Sequence, residues 1–178
     1  MSAEPQLIPA SSQTVGPYFR IGLEYMTDPT EAAEKDTITI RGRVLDRDRA
    51  PVADAMLEFW NPSATFAEPT AIPTGFARAA TDDDGNFCVR MAKPAQITAN
   101  DGLMQAPHML VLVFARGLLR HLISRVYFDG ESSNSTDAVL STIPADRRHT
   151  LVAHRDGQNS FCWNVVLQGK DETVFFAW

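Results

Sequence analysis

The sequence predicts an all-β protein, an antiparallel β-sandwich with an extended N-terminal arm. Short runs of alternating apolar and polar residues recur along most of the 178 residues, and Gly- and Pro-containing turns separate them. No segment carries the sustained 3.6-residue period of a long amphipathic helix. With 44% hydrophobic residues, the chain can bury one core of a single domain. The expected division is an arm over residues 1–36 and a sandwich over 37–178.

The stretch 106–128, APHMLVLVFARGLLRHLISRVYF, is the part around which the rest must pack. Met109 to Phe114 is an unbroken apolar run that reads as a strand covered on both faces in mid-sheet. Arg116 and Gly117 mark a bend. Leu122, Ser124, Val126 and Phe128 then share one face of a second strand, with Ile123, Arg125 and Tyr127 on the other.

The remaining elements follow in chain order. Residues 1–36 have no sustained period and hold Pro5, Pro9, Pro17 and Pro29, so they read as an arm. Within it Thr14, Gly16, Pro17, Tyr18 and Phe19 mix turn residues with aromatics, as in an arm that covers its own sheet edge or docks on a partner. TITIRGRVL alternates cleanly, and MLEFW after the turn DRDRAPVADA is expected to pair with it as a hairpin. Residues 61–80 and 93–106 read as loops, and TDDDGNFCVRM as a polar turn entering a strand with Phe87, Val89 and Met91 on one face. Asp82, Asp83 and Asp84 lack the spaced oxygens and closing Glu of a calcium loop, which leaves a solvated turn. GESSNSTDAV is a polar surface segment, PADRRHTLVAHR a turn or helix start plus a strand, FCWNVVL an alternating strand, and DETVFFAW a last short strand.

Composition excludes several classes of function. A net charge of −6 with no cluster of Lys and Arg argues against nucleic acid as a partner. No run approaches the roughly 20 apolar residues of a membrane span, and the first residues lack a signal-peptide pattern, so a cytoplasmic location is expected. Cys88 and Cys162 stand without CxxC spacing and read as buried small hydrophobes.

The ordered set SSQTVGPYF, ITIRGRVLD…APVADAMLEFWNPSA, TDDDGNFCVRMAKPA, APHMLVLVFARGLLRHLISRVYFDGE and ETVFFAW resembles the intradiol aromatic-ring dioxygenases along nearly the whole chain. The resemblance implies a β-sandwich subunit paired with a homologous beta subunit. It also implies that the complex opens the ring of protocatechuate between its two hydroxyls with Fe(III) and O2. Catalytic chains of the family hold iron with two tyrosines and two histidines. On those positions this sequence places His108 at the first histidine, Leu110 at the second, and Ile97 and the loosely aligned Phe66 at the tyrosines. Gln105 stands where such chains place a substrate-holding arginine. Side chains two apart on a strand share a face, so His-x-His can grip one metal and His-x-Leu cannot. The resemblance therefore implies no metal site in this chain, with Fe(III) held by the beta subunit and His108 structural. His121, His149 and His154 supply no ligand spacing.

In the alpha chains of the family, an arm with the QTxGPY pattern reaches the neighbouring beta chain's active site. The matching substrate-binding candidates are Thr14, Gly16, Pro17 and Tyr18. Gly16 admits close backbone approach to a flat ring, Pro17 fixes the turn and Tyr18 offers a hydroxyl. Arg116 matches an arginine near the same cleft, where a guanidinium suits a carboxylate substrate; it serves equally as an interface or C-terminal ion pair. A non-catalytic transthyretin-like binding or assembly module is the alternative function, although such a module has no use for QTVGPY.

Overall fold

The computed structural model describes residues 9–23, 37–64 and 75–177. Strand β1 (Thr37–Leu45) is central to one layer, where β4 (Asn86–Ala92) pairs with it antiparallel. Two short strands, β10 (Ser160–Cys162) and then β11 (Val165–Val166), run parallel to β1 in the same register. The other layer runs β3 (Phe76–Ala80), β2 (Met56–Trp60), β7 (His108–Phe114) and β8 (Leu122–Phe128), all antiparallel. Strand β9 (Val152–Arg155) joins the layers. Val152 and Ala153 pair parallel with β8, whereas His154 and Arg155 pair antiparallel with β10. The expected sandwich is thus present and mostly antiparallel, with three parallel pairings.

The inward residues of both layers make one core. Strand β4 buries Phe87, Val89 and Met91 in strict alternation, and β7 buries Met109, Val111 and Val113. The rings of Phe59 and Phe87 meet at 5.9 Å between layers, and Phe128 and Phe161 meet edge-on at 5.0 Å. Each such ring removes an area from water worth about 2–3 kcal/mol. Leu110, Leu112 and Phe114, on the outer face of β7, are only half-buried, so that strand is mid-sheet but is not fully covered on both faces.

Several local expectations are corrected. The β1–β2 hairpin does not form, because the inward faces of the two strands belong to opposite layers. Asp46 Oδ1 accepts the Asp48 and Ala50 N–H groups in the intervening turn, and a single bridge, Leu45 to Pro51, precedes the crossing. Residues 76–80, assigned to loop, form β3; its alanines are poor strand formers, yet Ala77 and Ala79 fit beneath the opposite layer. The 93–106 loop contains the two-residue ladder of β5 (Ile97–Thr98) and β6 (Met104–Gln105). The C-terminal strand reduces to one bridge, Ile123 to Phe176. Cys88 is exposed and Cys162 half-buried, both as free thiols, since each lies on the outward face of its strand opposite Arg41. The Asp82 turn is solvated as expected. Asp82 Oδ1 accepts the Asp84 and Asn86 N–H groups, and these bonds, with the Asn86 amide leading, hold its carboxyl below the usual range.

A buried polar cluster fixes the start of β7. Asp137 Oδ1 caps the helix α1 (Ala138–Thr142) by accepting the Val139 and Leu140 N–H groups at 2.9 and 2.7 Å. It also accepts the Tyr127 hydroxyl at 3.1 Å, while Oδ2 takes the Ala106 N–H at 2.7 Å. His108 is buried against the Tyr127 ring, and its Nδ1–H donates to the Ala106 carbonyl at 2.8 Å. Burial lowers the His108 pKa to about 4, outweighing the bond to Ala106, and burial raises that of Tyr127.

Two outcomes follow from this packing. A β-carbon on Gly42 would collide with the Trp163 carbonyl where β10 and β11 are interrupted, and would press on the Phe87 ring. Gly42→Ala is therefore expected to destabilise the chain by about 3 kcal/mol, read from urea unfolding followed by tryptophan fluorescence. For His108, the folded pKa lies below the unfolded value of 6.5. Between those values the unfolded chain binds the proton and the folded chain does not, so stability is lost as pH falls from 6.5 toward 4. Between pH 7 and pH 4, wild type should lose about 3 kcal/mol more than His108→Asn, in the same unfolding measurement.

Candidate functional site

The β7–β8 connection and the arm form the site. Ala115 ends β7 in the core, and the Leu118 N–H closes a turn onto its carbonyl at 3.2 Å. Gly117 adopts φ 88°, a conformation open to glycine and strained for other residues. Residues 16–23 of the arm are consecutive turns: the N–H groups of Phe19, Ile21 and Leu23 donate to the carbonyls of Gly16, Tyr18 and Arg20 at 3.0–3.1 Å. No regular strand could present Tyr18 and Ile21 to solvent while keeping Phe19 against the sheet.

Among the described residues, contacts at Thr14, Phe19 and Arg20 tie the arm to the sandwich. The Gly117 N–H donates to Thr14 Oγ1 at 2.8 Å. The Phe19 ring lies 5.5 Å from that of Phe114, which stands 5.4 Å from His121. Arg20 Nε reaches Asp54 Oδ1 at 3.4 Å, and Arg116 Nη2 reaches the other oxygen of the same carboxylate at 3.3 Å. Between arm and turn lies a groove of about 660 Å³ with an apolar lining that includes Phe19, Phe114, Leu118 and Phe176, and with Arg120 and His121 at one side.

All five candidates lie on the arm or on the turn after β7, but none of them lines the groove, and they are not equivalent. Thr14 and Arg116 are brought to neighbouring positions by the Gly117 bond. Gly16 and Pro17 are exposed, a β-carbon on Gly16 would meet no atom within 4 Å, and Tyr18 is 78% exposed. Asp54 and Arg20, which join these elements, went unrecognised in the sequence. PVADA reads as an ordinary turn, and nothing in it shows that Asp54 takes φ 61° and meets two arginines.

The positions matching the family's iron ligands lie elsewhere. His108 opens β7, and its six residue steps to Phe114 span about 20 Å. The donor set there does not fit ferric iron: Leu110 and Ile97 offer only hydrocarbon, which leaves His108 as a single imidazole without companion ligands at those positions. Gln105 Oε1 accepts from Arg125 Nη1 at 2.9 Å. Phe66, and Tyr25 in the arm, lie outside the described residues. Among the described residues no three His, Cys, Asp or Glu side chains gather as a metal cluster, and no helix is long and apolar enough to cross a membrane. His121, His149 and His154 are solvent-facing or partly so.

Comparison with known proteins agrees with this architecture. A family model described as dioxygenase matches residues 15–169. The protocatechuate 3,4-dioxygenase alpha chain of Burkholderia cepacia is 42% identical over 191 aligned residues, covering 93% of this chain and 95% of its own. That of Pseudomonas putida is 35% identical over 196, covering 96% and 98%. Among solved structures, the dioxygenase domain of a carbohydrate-binding fusion from Streptomyces sp. SirexAA-E superposes with a TM-score of 0.59 at 22% identity, over 95% of this chain and 96% of that one. The 3-chlorocatechol 1,2-dioxygenase of Rhodococcus opacus 1CP gives 0.61 at 20% identity, over 91% and 69%. These two share the fold. The match across the sandwich, together with two relatives matched over nearly their whole length, means that the chain belongs to the intradiol ring-cleaving dioxygenases.

Proposed function

We propose that this chain is the iron-free alpha subunit of a cytoplasmic two-chain dioxygenase that converts protocatechuate and O2 to 3-carboxy-cis,cis-muconate, with Fe(III) held by a homologous beta subunit. Both relatives at 42% and 35% identity are alpha chains of protocatechuate 3,4-dioxygenase, which supports that role. The observation that carries it is the separation along β7. The end of β7 that leads to Arg116 and the arm lies about 20 Å along the strand from His108 and about 13 Å from Leu110, and both elements are exposed. In this reading Thr14, Gly16, Pro17, Tyr18 and Arg116 wall the partner's substrate cleft. The arm is a second unit beside the sandwich of 37–178, and its exposed Tyr18 and Ile21 suit an apolar interface. Two free thiols without a disulfide fit a reducing compartment.

The chain's own residues would bind and orient substrate. Arg116 engages Asp54 through one nitrogen, which leaves donors for a ring carboxylate. Gly16 lets the backbone approach the ring plane, and the Tyr18 hydroxyl has no partner among the described residues. The iron in the partner supplies the oxygen chemistry.

Metal analysis of the separately purified chain should find far less than stoichiometric iron and no visible absorption from tyrosinate–iron charge transfer; stoichiometric iron would overturn the subunit assignment. Gly16→Val tests the arm. A β-carbon at Gly16 would meet no atom of the described residues within 4 Å, so an effect on turnover is expected to come from what the arm touches in the complex. The assembled complex should keep its iron, with kcat/KM for protocatechuate reduced about 100-fold. Unchanged constants in an intact complex, checked by sedimentation, would remove the arm from the cleft.

A further inference from the structure

We propose that Asp54 is a positioning residue that couples the arm to Arg116. This rests on the reading of those two elements as a wall of the partner's substrate cleft. Its carboxylate divides between them, Oδ1 to Arg20 on the arm at 3.4 Å and Oδ2 to Arg116 on the β7–β8 turn at 3.3 Å. One carboxylate thus stands within ion-pair distance of a guanidinium on each element. A second tie, from the Gly117 N–H to Thr14 Oγ1, lies beside the first. The arm is thus fastened at residues 14 and 20, and the uncovered Gly16, Pro17 and Tyr18 form the span between.

Stability alone does not account for this arrangement. The Arg116 side chain is 56% exposed, and ion pairs so open to water contribute little. Asp54 meanwhile sits in a turn at φ 61°, a left-handed conformation that aspartate adopts more readily than most residues with a β-carbon. That turn sets its carboxylate between the two arginines. The Arg116 guanidinium approaches it through Nη2 at 3.3 Å and has further donors for an anion.

The test uses the assembled, iron-loaded two-chain enzyme with protocatechuate and with catechol, the same ring without its carboxylate. Asp54→Asn keeps the shape and removes the charge that orients Arg116. If position dominates, KM for protocatechuate should rise about tenfold with kcat held within about twofold, and KM for catechol should not change. Asp54→Glu should recover part of the loss. If Asp54 merely neutralises Arg116, removing its charge strengthens carboxylate binding; a lower or unchanged KM for protocatechuate overturns the proposal. An equal rise for both substrates also overturns it, because that is the signature of a displaced arm without aim on the carboxylate. Where Asp54→Asn fails to assemble, Asp54→Glu carries the same comparison: a rise confined to protocatechuate supports the proposal, and unchanged constants overturn it. Arg116→Gln separates the two levels. If it raises KM for protocatechuate while Asp54→Asn does not, the cleft reading stands and the coupling falls. If Arg116→Gln and Gly16→Val both leave the constants unchanged, the cleft reading itself falls, and the coupling with it.

Discussion

The divided strand β9 is the constraint on which the architecture depends. Four residues give two to each layer, parallel to β8 and antiparallel to β10. A strand can do this only if the layers approach along that side, so the sandwich is closed there by main-chain hydrogen bonds and not by side-chain packing alone. Leu151 and Ala153 are fully buried around the crossing, and the Trp163 indole N–H donates to the Thr150 carbonyl at 2.9 Å. With β8 pinned, β7 is fixed beside it, and so is the turn on which the arm rests.

The two ends of β7 have taken different courses. At its start a histidine is enclosed by Tyr127 and tied to Ala106, in a neighbourhood ordered by the Asp137 carboxylate. Past its end the chain remains open, with an apolar groove and a cationic turn. A buried neutral imidazole gives its one N–H to the Ala106 carbonyl, whereas a half-exposed guanidinium beside a carboxylate still has donors to offer. One strand thus carries a structural imidazole at its start and leads into an available guanidinium past its end.

How far this was legible depended on the range of the signals. The alternation of Phe87, Val89 and Met91, or of Phe161, Trp163 and Val165, is local and correctly gave strands and inward faces. The failures came from tertiary context. FARAA looks like loop until the space under the opposite layer is known, and β1 and β2 look like hairpin partners until each is seen to need a different layer. Cys88 and Cys162 are small apolar residues by type, but their strand parity sets them outward. At the site, family motifs pointed to Thr14, Gly16, Pro17, Tyr18 and Arg116 because each matches a sequence pattern. Asp54 has none, since its significance lies in two arginines 34 and 62 positions away that meet it only in space.

The loop over 93–107 carries a further consequence. Among the described residues its order comes from the β5–β6 ladder, the Arg125–Gln105 bond and the Asp137 carboxylate. Two of these anchors, Arg125 on β8 and Asp137 at the start of α1, belong to the sandwich itself, so the loop gains and loses its order together with the sheet beneath it.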